Sequence, residues 1–312
     1  MIEGQKYAPI LVSGAHRSGT TWIGKMLASE PRVAYISEPF NVWHRPGVMR
    51  ASTQYWYNYI CEDNQQDYLL AFQEMLRFDY HLGLEIRSIH SVKDLFRMGR
   101  DWLVFRNGRK KNQIPLIKDP FAVFSSKWFA KILGCQVVVV VRHPAAVTSS
   151  LKKLGWTFDL QDLLGQPLLM RDWLEPFRDE MEKVLDQPND LIAQSCLLWK
   201  MIYQTIAVMR DQIPGMILLK HEDFANAPQE RFKRLFEELD FEYTPTIEDK
   251  IRIASSSKNP KGTSQGSVHS IHIDSQAVVK SWQKQLSEVD IERIFDLTRE
   301  VADTYYSDAD WQ

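Results

Sequence analysis

Cysteine is scarce in this chain and badly placed for cross-linking. Cys61, Cys135 and Cys196 are odd in number and far apart among 312 residues, which excludes a disulfide framework and gives no zinc-ligand spacing. No uninterrupted apolar run approaches the roughly 18 residues of a membrane span, and the N-terminus shows no basic segment followed by an apolar stretch. An excess of positive charge is also missing: the net charge is −2, so a general basic surface for nucleic acid is not expected. Internal repeats and low-complexity tracts are absent too. These absences predict a soluble, cytoplasmic protein without a membrane span or a nucleic-acid partner. What is present is ample core material, 44% hydrophobic residues, enough for one large α/β domain over residues 1–312.

An apolar strand over residues 8–13 runs into Gly14, four residues intervene, and Gly19 precedes Thr20 and Thr21 at the start of an amphipathic helix. That strand, loop and helix layout turns backbone N–H groups toward a phosphate. A Walker A loop would place lysine after the second glycine to reach the β and γ phosphates. Thr20 stands there instead, and the cation is inside the loop as Arg17. Such a loop suits a nucleotide with a single 5′-phosphate group better than a triphosphate with its metal.

Five consecutive valines, 137–141, cannot form one half-buried face and read as a central parallel strand covered on both sides. Arg142 lies at its carboxyl end, where open α/β sheets bind ligands. Pro144 opens the next helix, and Ser150 follows eight residues after the arginine, about two turns on. Other strands are expected at 33–36, 115–118 and 215–220. Helices are expected at 20–29, 125–133, from Pro144 to Leu154, at 191–210, and from Ser287 as N-cap to about Tyr305. Residues 254–281 read as loop.

Arg17, Ser18, Gly19, Thr20, Thr21 and Trp22 closely resemble the 5′-phosphosulfate loop of sulfotransferases that use 3′-phosphoadenosine 5′-phosphosulfate (PAPS), with His16-Arg17 where Pro-Lys is usual. Arg142 and Ser150 stand at the spacing at which that family holds the 3′-phosphate. The resemblance implies a P-loop-type three-layer α/β fold with a central parallel sheet, no metal, and PAPS as the donor that leaves as PAP. It further implies that Trp22 lies against the adenine and that a C-terminal loop reaches the 3′-phosphate, with Lys261 and Gly262 the nearest match and Lys258 and Lys280 as alternatives. His221 replaces the family's tyrosine at the adenine.

Sulfuryl transfer needs a base near the acceptor proton and cations along the phosphosulfate bridge. The histidine base of the familiar cytosolic members is missing here, where Lys118-Asp119 follows a strand. Another subset, of carbohydrate and bacterial enzymes, uses a glutamate after the second strand, and Glu38 stands in that place. Glu38 is therefore the expected base, Asp119 the reserve, and Lys118 with Arg17 the stabilisers of the leaving phosphate. Aromatic stretches at 43–59 and 156–177 are candidates for the acceptor pocket and its lid. The acceptor is a hydroxyl or amine of a small molecule, lipid or carbohydrate. Two other readings stay open: a nucleotide or small-molecule kinase, and a catalytically silent nucleotide-binding protein.

Overall fold

Five parallel strands form one sheet in the order β2, β3, β1, β4, β5. In this computed structural model, residues 7–43, 45–260 and 274–312 are described. The strands are β1 Ile10–Gly14, β2 Val33–Ser37, β3 Ile114–Lys118, β4 Gln136–Val141 and β5 Ile217–Lys220. The helices that matter below are α1 Thr20–Leu27, α2 Val92–Lys111, α3 Pro144–Leu154, α4 Leu191–Arg210, α5 Pro228–Glu238 and α6 Glu288–Ala302.

The valine run shows why the sheet is central. Val137, Val139 and Val141 project to one side and pack with Leu197, Ile202 and Tyr203 of α4. Val138 and Val140 project to the other and pack with Ile23 and Leu27 of α1 and with Phe232 and Phe236 of α5. Strand alternation thus divides one apolar run between two helical layers, and the expected three-layer arrangement is present.

Helix ends follow the side chains that can satisfy free N–H groups. Ser287 caps α6 in a capping box with Asp290, Asp190 caps α4, and Ser91 caps α2. The expected loop over 254–281 is in part helical, at Ser275–Val279. The expectation that no segment is long and apolar enough for a membrane also needs correction. By length and composition α4 qualifies, but 67% of that stretch is buried within the protein, with Trp199, Met201, Ile202 and Tyr203 in the core. The helix is tied into the fold by its side chains, as when the Trp199 indole donates to the Arg142 carbonyl.

The topology sets the site. From β1 the chain passes to one side of the sheet for β2 and β3, then crosses to the other for β4 and β5. The carboxyl end of β1, flanked by those of β3 and β4, is the switch point at which such sheets leave a crevice.

Candidate active site

The loop after β1 is held from beneath by two tyrosines. The Tyr203 hydroxyl donates to the Val140 carbonyl at 2.8 Å, and the Ala15 amide donates to that hydroxyl at 3.2 Å. The Tyr57 hydroxyl meets His16 Nδ1 at 2.6 Å. Ser18 closes the turn by donating its amide to the Ala15 carbonyl at 3.0 Å. These bonds, with the His16 amide on the Tyr57 hydroxyl at 3.4 Å, occupy the amides of Ala15, His16 and Ser18, and the amides of Thr20 and Thr21 in the first turn of α1 have no carbonyl of their own helix to bond. Gly19, the residue before that turn, has φ +97°, and a Cβ there would sit 2.5 Å from Nδ1 of His221. Only glycine permits both that backbone angle and that approach.

Arg17 is anchored toward Ser150. Its Nε donates to the Ser150 hydroxyl at 2.9 Å, and Arg142 donates to the Arg17 carbonyl at 2.9 Å. Two guanidinium groups, one of them bonded to Ser150, therefore line the same cleft beside the loop. Burial, and then the charge of Arg142, push the Arg17 pKa down to about 10, so an anion placed between them would be stabilised by both. Among the described residues, Arg142 Nε is buried with no hydrogen-bond partner, and so are both ring nitrogens of His221. The turn carrying Arg142 is braced by the buried Glu222, which accepts from the His143 amide at 3.0 Å and from the Tyr306 hydroxyl at 3.0 Å. Burial, and then Arg142, hold His221 well below the ordinary histidine range, so its ring is neutral.

At the other end of the cleft, β2 and β3 pair with Ser37 beside Lys118. The next residue, Glu38, donates its amide to the Lys118 carbonyl at 2.8 Å and then turns away with φ +50°. Its carboxylate pairs with Lys118 Nζ through Oε1. The lysine side chain is 2% exposed, whereas that of Glu38 is 19% exposed, so the carboxylate is the more open member of the pair. Asp119 points the other way. It is wholly buried, and its two oxygens accept the amides of Phe40 at 2.7 Å and Phe121 at 2.9 Å. Burial first, and then the negative charge of Glu38, push its pKa up to about 7.

These groups share one cleft of ≈ 670 Å³. Arg17, Gly19, Thr20, Thr21, Trp22, Glu38, Lys118, Arg142 and Ser150 all line it, within the volume usual for small-molecule sites. Trp43, Trp56, Phe121, Trp156 and Phe158 line it as well. Among the described residues, no group of three or more His, Cys, Asp or Glu is placed to hold a metal ion.

Residues 9–245 match the sulfotransferase family model. The chain belongs to the sulfotransferase family. Its fold agrees with the solved sulfotransferase domain from the curacin biosynthetic pathway, at 13% identity and a TM-score of 0.51, over 96% of this chain and 98% of that one. A sulfotransferase domain from the Synechococcus PCC 7002 olefin synthase overlaps 98% of this chain and 97% of its own, at 15% identity and a TM-score of 0.49. A mouse sulfotransferase complexed with PAP overlaps 97% and 86%, at 11% identity and a TM-score of 0.44. A search of curated protein sequences found no match.

In this sulfotransferase the structure brings together nearly all the residues singled out from sequence. Ser18 is fully buried beneath the loop and does not line the cleft. Lys261 and Gly262 lie outside the described residues. Lys258 is described and exposed, and Lys280 is bonded to the Gln312 carbonyl at 2.5 Å; neither lines the cleft. Of the aromatic stretches, Trp43, Trp56, Trp156 and Phe158 face the cleft, whereas Tyr57 is core. Sequence reasoning missed Tyr203, whose role depends on α4 crossing beneath the loop, and it missed that His221 opens the short helix His221–Asn226 against Trp22, with ring centroids 5.8 Å apart.

Proposed function

We propose that this sulfotransferase uses PAPS and transfers its sulfuryl group to a hydroxyl or amine in the aromatic part of the cleft, releasing PAP. The observation that carries the reading is the convergence of Arg17, Arg142 and Ser150 beside the loop, with Arg142 Nε buried and unpartnered among the described residues. A doubly charged phosphate monoester satisfies such a cluster, and a 3′-phosphate supplies one where ATP has only a hydroxyl. The amides of Thr20 and Thr21 at the start of α1 would hold the 5′-phosphate, with Trp22 and the neutral His221 forming the wall beside the base. Lys261 and Gly262 remain candidates for the 3′-phosphate.

In the transfer step, Glu38 takes the proton from the acceptor O–H or N–H as that atom forms its bond to sulfur. The bond from sulfur to the bridging oxygen breaks, and its electron pair stays on the 5′-phosphate. Lys118 stabilises that growing negative charge and, before the reaction, holds the Glu38 carboxylate in place. The acceptor class favoured by the cleft is an apolar-bodied molecule with one reactive hydroxyl or amine, because Trp56, Phe121, Trp156 and Phe158 line it together with Glu38.

The test is incubation with PAPS, and separately with ATP and Mg²⁺, against a panel of hydroxylated acceptors, read by mass spectrometry. A sulfated product with one PAP per product supports the proposal. A phosphorylated product formed from ATP would assign the cleft to a kinase instead.

A further inference from the structure

Helix α2 carries an apolar stripe on the side facing away from the sheet. Its buried residues are Asp101, Phe105 and Gly108, which define the inward face. Val92, Leu95, Phe96, Trp102 and Leu103 follow the three-and-four spacing of a helical stripe on the opposite side. Phe96 is 77% exposed and Val92 68%, and no residue over 91–100 is buried. The preceding helix, Leu82–Arg87, adds Ile86 at 54%. Of the fourteen exposed large apolar side chains among the described residues, eight lie within 82–103. Single exposed apolar residues are ordinary, but this concentration on adjoining helices is not.

The same segment holds the charge that the whole-chain total conceals. Residues 82–111 contain eight Lys or Arg against three Asp or Glu, a net +5 in a chain of net −2. Arg97 is paired with Asp94 at 2.6 Å, Arg100 with Asp101 at 2.9 Å and Arg109 with Asp79 at 2.8 Å, and among the described residues Arg87, Lys93, Arg106, Lys110 and Lys111 have no carboxylate at ion-pair distance, so the segment stays basic after its ion pairs are counted. Arg106 lies over the Trp102 ring at 5.2 Å, a cation set beside the apolar stripe.

The stripe stands beside the mouth of the cleft. Arg45 links Asp101 to the Ser37 carbonyl, which places Asp101 level with the end of β2 and with Glu38. Helix α2 then descends toward the start of β3. The nine residues before Asp101 therefore extend about 14 Å beyond the strand ends, at 1.5 Å per residue, on the side where the cleft lies.

We propose that the outward face of α2, with the helix Leu82–Arg87, docks on an anionic lipid bilayer, with Val92, Leu95 and Phe96 entering the headgroup boundary and the flanking cations meeting lipid phosphates. Apolar depth with cations at its margins is the pattern of interfacial helices. A second copy of this chain is disfavoured as the occupant, because a two-fold contact would set +5 against +5. The inference does not depend on the donor proposed above.

The test is co-sedimentation of the full chain with vesicles of phosphatidylcholine alone and of phosphatidylcholine mixed with phosphatidylserine. The parent is expected to pellet with the mixed vesicles only, and less so as salt is raised. Leu95→Gln with Phe96→Gln should weaken binding about tenfold or more while thermal unfolding and sulfuryl transfer in solution stay as in the parent. Failure of the parent to pellet, equal binding to both vesicles, or unchanged binding of the double variant overturns the proposal. So does a concentration-dependent dimer that the double variant loses, which would assign the face to a second copy.

Discussion

Glu38 and Lys118 form an ion pair across the carboxyl ends of neighbouring strands, both lining the cleft, with the carboxylate the more open of the two. Because β2 and β3 are in register at Ser37 and Lys118, the pair is set by the sheet itself and not by a loop that must close. The base and the cation of the proposed transfer are thereby held at a fixed separation before any substrate arrives.

Glu38→Gln keeps the size of the side chain but removes its capacity to take a proton. The account predicts a fall in kcat of about 10² to 10⁴-fold with PAP affinity nearly unchanged. Asp119→Asn, measured in the same assay, should lose far less, because both Asp119 oxygens already serve the amides of Phe40 and Phe121. Stopped turnover in Asp119→Asn with near-normal turnover in Glu38→Gln would move the base to Asp119.

The buried Asp119 also predicts a pH dependence of stability. Its pKa in the folded protein is raised from 3.8 to about 7, so the folded state holds this proton more tightly than the unfolded chain does. The stabilisation is complete below pH 3.8 and is lost as pH rises toward 7, by up to about 1.4 kcal/mol per pH unit. Asp119→Asn has no proton to lose. The difference between variant and parent, measured by denaturant unfolding, should therefore shift in favour of the variant across this window. A flat difference, or a shift toward the parent, would contradict the assignment.

Much of this was legible from the chain because its signals are local. Five valines between helices dictate a central strand, and a glycine loop without the Walker lysine states its own preference for phosphate. Glu38 could be placed because it follows a short strand directly. What escaped notice depends on segments distant in sequence. The two amides that occupy Asp119 belong to Phe40 and Phe121, 79 and 2 residues away, and nothing in the Lys118-Asp119 dipeptide announces the first. Arg17 was expected to stabilise the leaving phosphate together with Lys118; that its Nε also bonds Ser150, 133 residues on, was not legible, because the loop and α3 meet only in the folded sheet. The outward apolar stripe of α2 was hidden for a related reason: Phe96 and Phe105 look alike in sequence, and only the packed sheet decides which one is buried.

The central claim is that Arg142, with Ser150 and Arg17, recognises a 3′-phosphate. Isothermal titration of PAP and of adenosine 5′-phosphate into the parent and into Arg142→Ala tests it most directly, since the two nucleotides differ only in that group. The account predicts that the parent binds PAP much more tightly than adenosine 5′-phosphate. It also predicts that Arg142→Ala weakens PAP by roughly 2 to 4 kcal/mol, while the monophosphate changes little. Equal affinity of the parent for the two nucleotides, or an equal loss of both in Arg142→Ala, would contradict it.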